Sequence, residues 1–74
     1  MEKYVLTEPT AVFRVMLNTG MCAGTGEAKR LLREGGVRLD GELCQDFHKV
    51  IDLGAGETKV LQIGRRKFVQ LVTA

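Results

Sequence analysis

Apolar residues early in the chain recur at helical spacing, and those late in the chain alternate with polar ones. From about Thr10 to Asn18, Val12, Phe13, Met16 and Leu17 form one apolar stripe, which predicts a first helix. Asn18, Thr19 and Gly20 stop it, Gly20 being suited to a left-handed position after the last turn. Met21 to Gly26 reads as a connector. A second helix opens at Gly24, Thr25 or both; Thr25 is the better capping side chain, although glycine is also tolerated there. At about 100° per residue, Ala28, Leu31 and Leu32 fall on one side of it. Lys29, Arg30 and Arg33 fall within an arc of about 100°, almost opposite. Glu27 in the first turn and Arg33 in the last suit the helix dipole, and Gly35-Gly36 ends the helix.

The pattern then changes to strands. Val37-Arg38-Leu39 alternates, so Arg38 should face away from its neighbours. Asp40-Gly41 is a strong two-residue hairpin signal, with Glu42 to Cys44 as the return strand. Gln45 to Leu53 fits neither period; its Phe47, Val50, Ile51 and Leu53 are assigned to the core. Leu53 to Glu57 is a turn, and Thr58–Ile63 and Phe68–Val72 read as a second hairpin around a basic glycine turn. Phe13 and Phe68 are also assigned to the core. Residues 1–10 read as an extended lead-in, with Pro9 biasing Glu8 away from helix and suiting the first turn that follows. Residues 11–74 then form the domain proper. The expected class is α+β, two helices followed by a small twisted, mostly antiparallel sheet.

Composition narrows the chemistry. The 74 residues suffice for one small domain, and 45% hydrophobic content argues against disorder. The net charge is only +2, but it is unevenly placed. Lys29 to Arg38 holds four basic residues against one acidic, and Arg65, Arg66 and Lys67 add three more. No apolar run approaches membrane-spanning length and no signal-peptide pattern opens the chain, so a cytoplasmic protein with no membrane partner is expected. Cys22 and Cys44 have no C-x-x-C spacing and read as small apolar side chains. With the lone His48 they make no convincing metal set.

Gly20 to Gly26 invites a phosphate-loop reading, which fails because no Gly-Lys-Ser/Thr follows. Backbone N–H groups at Thr25 and Gly26 remain candidate phosphate contacts at a helix start. No catalytic constellation is visible, and Glu27 and Glu34 read as solubilising residues. The four aromatics, Tyr4, Phe13, Phe47 and Phe68, show no single-strand stacking pattern, so any RNA should be met through its shape and phosphates. A basic face on a small helix is as readily a solvated surface as a binding one. Arg38 extends the positive surface to the next strand, and spatial proximity to the hairpin cluster would make the two one site.

The run Gly26-Glu27-Ala28-Lys29-Arg30-Leu31-Leu32, followed by Gly35-Gly36-Val37-Arg38-Leu39-Asp40-Gly41-Glu42, resembles the RNA-binding domain first recognised in small-subunit ribosomal protein S-four. There a Ser-x-Ser-Glu-Ala-Arg-Arg-Leu-Ile helix runs into Gly-x-Val-x-Val-Asn-Gly, the alpha-L motif. Val12 to Met21 is similar to the family's preceding helix. Val60-Leu61-Gln62-Ile63-Gly64-Arg65-Arg66-Lys67-Phe68-Val69 is similar to the final hairpin of bacterial tyrosyl-tRNA synthetases, in which the chain stops a few residues later, as here at Ala74.

This resemblance implies an S-four-like C-terminal tRNA-binding domain of a tyrosine–tRNA ligase, meeting the long variable arm and anticodon stem of tyrosine tRNA. The family's basic positions carry over onto Lys29, Arg30, Arg33 and Arg38, and onto Arg65, Arg66 and Lys67. The family's helix-start serine aligns with Gly24, so its hydroxyl contact is lost unless Thr25 substitutes. The resemblance implies no catalytic residue, metal or cofactor in the domain; ATP and tyrosine would bind a separate catalytic domain, and the isolated domain should be a monomer. Two alternatives stay open: a free-standing S-four-like protein on structured ribosomal RNA, and a protein-interaction module whose basic residues only solvate it.

Overall fold

In the computed structural model, residues 2–73 are described. Both helices lie on one face of a five-stranded sheet. Strand β1 (Glu2–Leu6) leads by way of β2 (Thr10–Ala11) into α1 (Val12–Asn18) and then α2 (Thr25–Arg33). The strands β3 (Val37–Leu39), β4 (Glu42–Leu43), β5 (Val50–Ile51), β6 (Thr58–Ile63) and β7 (Lys67–Thr73) follow. The sheet order is β1-β7-β6-β3-β4, all antiparallel except β1 on β7, and β2 pairs separately with β5. The class is α+β, as the hydrophobic pattern predicts.

The two helices end the same way. After α1 the chain turns left-handed at Gly20 (φ +75°), whose N–H donates to Leu17 O while that of Met21 donates to Met16 O. After α2 it does so at Gly35 (φ +79°), with Gly35 N–H donating to Leu32 O and Gly36 N–H to Leu31 O. These paired bonds satisfy carbonyls that a helix end otherwise leaves open. Asp40 (φ 54°) and Gly41 (φ 86°) then form the tight hairpin turn expected between β3 and β4.

The core gathers Val12, Val15 and Met16 of α1 and Ala28 and Leu32 of α2 over the inner sheet face of Val37, Leu39, Leu61, Ile63, Val69 and Leu71. Leu6, Met21, Ile51 and both cysteines complete it. Burial pushes the Cys22 and Cys44 thiols up from their ordinary range, which suits apolar filling rather than reactivity.

Four local expectations change. The extended lead-in is a sheet strand: β1 runs parallel to β7 from Glu2↔Val69 to Leu6↔Thr73 and buries Leu6. The first helix starts at Val12 rather than Thr10, because Thr10 and Ala11 pair with Ile51 and Val50, and Val12 N–H donates to Lys49 O at 2.7 Å. Val50 is 52% exposed, since strand alternation turns Ile51 inward and Val50 outward. Phe68 is 40% exposed for the same reason, with Val69 and Leu71 taking the inner face.

Candidate nucleic-acid interface

Helix α2 has two unlike faces. Ala28 and Leu32 are fully buried, and Lys29, Arg30 and Arg33 are exposed. The burial of one face fixes where the other points. Arg30 is held along the helix by Glu34, Nη1 to Oε1 at 3.1 Å, an exposed pair one turn apart. Lys29 Nζ stands 6.0 Å from the centre of the Phe47 ring, and that ring stacks on Phe13 of α1 at 4.4 Å. Arg33 contributes its carbonyl to Gln45 Nε2 at 3.3 Å.

The helix leads directly into the next basic residue. Gly36 O accepts the N–H of Gly64 at 2.8 Å, tying the exit of α2 to the tip of the β6–β7 hairpin. Arg38 and Arg65 consequently line one open depression with Gly35, Gly36, Gln62 and Gly64. The Arg38 guanidinium also makes a long hydrogen bond of 3.4 Å to Gly41 O. Arg38 faces outward between buried Val37 and Leu39, as the alternation predicts. The structure thus brings the helix end, Arg38 and Arg65 together.

The hairpin cluster divides. Arg66 and Lys67 line a different depression, beside Thr19, Gly20 and Met21 of the α1–α2 connection. Lys67 is registered with Ile63, on the helix side of the sheet, and its charge is felt at Cys22. At the start of α2, Gly24 occupies the capping position and no side chain bonds the helix end. Thr25 is the first helical residue and does not replace the missing hydroxyl cap. Both Thr25 and Gly26 are exposed.

Sequence reasoning missed two features. The Arg30–Glu34 pair was readable from its spacing of four. The Phe13–Phe47 stack with Lys29 over it was not, because Phe47 sits in a segment without period. Among the described residues no three His, Cys, Asp or Glu side chains gather as a metal set, and no helix is long and apolar enough to cross a membrane.

No family model matches the chain. Curated relatives do. The chain is 48% identical over 58 residues to the tyrosine–tRNA ligase of Trichormus variabilis, a match covering 73% of this chain and 14% of the ligase. It is 42% identical over 60 residues to that of Moorella thermoacetica (81% and 14%) and 43% identical over 61 residues to that of Aromatoleum aromaticum (82% and 15%). The matched region therefore spans about a seventh of the length of these relatives.

Proposed function

Because the chain is homologous to one segment of the tyrosine–tRNA ligases, we propose that it is a non-catalytic tRNA-binding module, of the S-four-like C-terminal kind. Its role would be to hold the long variable arm and anticodon stem of tyrosine tRNA, while ATP and tyrosine bind elsewhere in the ligase. The observation that carries this reading is the α2–β3 corner. A helix closed on one face presents Lys29, Arg30 and Arg33 on the other, and the residues just after it, Gly35 and Gly36, line a depression with Arg38 and Arg65. Guanidinium groups fit phosphate oxygens in a planar fork, and such contacts position RNA while its shape supplies selectivity. Arg66 and Lys67, around the corner of the tip, would support the site from its edge, and the exposed Thr25 and Gly26 at the start of α2 would offer a further phosphate contact.

The test is binding of tyrosine tRNA, and of the same tRNA lacking its long variable arm, to the wild-type domain and to an Arg30→Ala/Arg33→Ala variant. Wild type should prefer the intact tRNA, and the variant should lose affinity while keeping its circular dichroism spectrum. Equal affinity for both RNAs, with tight binding to a ribosomal RNA fragment, would favour a free-standing ribosomal RNA binder. Unchanged affinity in a folded double variant would remove the site assignment.

A further inference from the structure

The sheet's open face sets Arg38 in a row with two side chains, Gln62 and Phe68, that phosphate recognition does not use. Strand register places Arg38 opposite Gln62 and Gln62 opposite Phe68, so the three stand side by side across β3, β6 and β7. Their chain neighbours Val37, Leu39, Leu61, Ile63 and Val69 are buried against the helices, so the row faces away from them. Adjacent strands lie about 4.8 Å apart, which sets Arg38 and Phe68 roughly 10 Å from each other. Phe68 is 40% exposed, and among the described residues no ring stacks on it and no cation stands over it. Gln62 is anchored by its Nε2, which donates to Gly64 O at 3.0 Å. The row holds no carboxylate. Glu2, which shares a depression with Phe68, is registered with Val69 and so belongs to the other face.

An exposed phenylalanine alone means little. Here it is lined up with a fixed amide and a guanidinium, beside a basic hairpin tip. An unstacked nucleotide needs those groups: a flat ring for the base, a polar group at the base edge, and a cation for the phosphate. We infer that the Arg38–Gln62–Phe68 row is a stacking site for one unpaired nucleotide of the bound RNA, with the base on Phe68 and its phosphate toward Arg38. This rests on the RNA-binding reading above and adds base contact to a surface otherwise read as phosphate-directed. A protein segment docking on the same face would value the apolar area of Phe68 rather than its flatness.

The chain contains no tryptophan, so Phe68→Trp installs a single reporter. Titrated with tyrosine tRNA, its emission should be quenched as the base stacks, in step with amide shifts at Lys29 to Arg33. Phe68→Leu keeps an apolar side chain and removes the ring. It should weaken RNA binding by between about fivefold and a hundredfold. Emission unchanged at saturation, or wild-type affinity in Phe68→Leu, would overturn the stacking site while leaving the basic helix intact. So would a concentration-dependent emission shift without RNA, which would show a second copy covering the face. If Arg30→Ala/Arg33→Ala also bound normally, the basic-helix site would fall as well, and only a wild-type domain that bound no tRNA at low salt would overturn the RNA-binding reading itself.

Discussion

At the α2–β3 corner, Arg30 and Arg33 ride on a helix whose other side is closed by Ala28 and Leu32, both at 0% exposure. At the β6–β7 tip, Arg65 and Arg66 ride with Gly64 on the turn between Ile63 and Lys67. The charges are alike and their mountings are not. A helix seated in a core holds its outer side chains on fixed bearings. The hairpin turn is held by its two strands, by the Gly64 N–H bond to Gly36 O and by the Gln62 amide bond to Gly64 O. In the proposed function the corner would set RNA register, and the tip would add attraction that tolerates movement.

The largest break in this comparison should come from the seat rather than from the charges. Leu32→Ala removes a fully buried side chain and should destabilise the domain by about 2–5 kcal/mol, read as a lowered urea midpoint. Arg65→Ala/Arg66→Ala should stay within about 0.5 kcal/mol of wild type in the same experiment, both residues being exposed.

Next come the charges themselves. If Arg30 and Arg33 each meet a phosphate, their double replacement by Ala should flatten the salt dependence of tyrosine tRNA binding. The expected change is about 1.4–1.8 in the slope of log affinity against log salt. The Arg65/Arg66 pair should change that slope by less, because only Arg65 shares the depression with Arg38. An equal change from both pairs would erase the distinction between corner and tip.

The joint between the two regions offers a smaller effect. Gly35 sits at φ +79°, where a Cβ would meet only ordinary contacts to Leu43 and Gln45, so the strain of Gly35→Ala is in the backbone. It should cost roughly 1–2 kcal/mol, checked by thermal unfolding. Smallest of all, Glu34→Gln releases Arg30 from its exposed ion pair. Such pairs are worth about 0.3–0.5 kcal/mol, so RNA affinity should rise about twofold in a filter-binding titration.

Much of this organisation was legible in the sequence, for local reasons. The spacing of Val12, Met16, Ala28 and Leu32 marked the helices, Gly20 and Gly35 marked their ends, and Asp40-Gly41 marked the first hairpin. Each signal lies within a few residues of the structure it specifies. The misses were long-range. Strand β1 pairs with β7 from the other end of the chain, and with only Leu6 buried its alternation is weak. Thr10 and Ala11 joined β5 instead of the helix for the same kind of reason. By hydrophobicity alone Phe68 reads as core. Its pairing with Gln62 puts it on the open face. At the site, sequence spacing supplied the arc of Lys29, Arg30 and Arg33, while the joining of Arg38 to Arg65 depended on a backbone bond between Gly36 and Gly64 that no local pattern announces.

The most direct measurement is a backbone amide NMR titration of the domain with tyrosine tRNA, intact and with its long variable arm deleted, at two salt concentrations. Shifts should concentrate at Lys29 to Arg38 and reach Gly64 and Arg65, weaken when the arm is removed, and shrink at the higher salt. An absence of shifts in that region at low salt would contradict the account and leave the basic face of α2 a solvated surface.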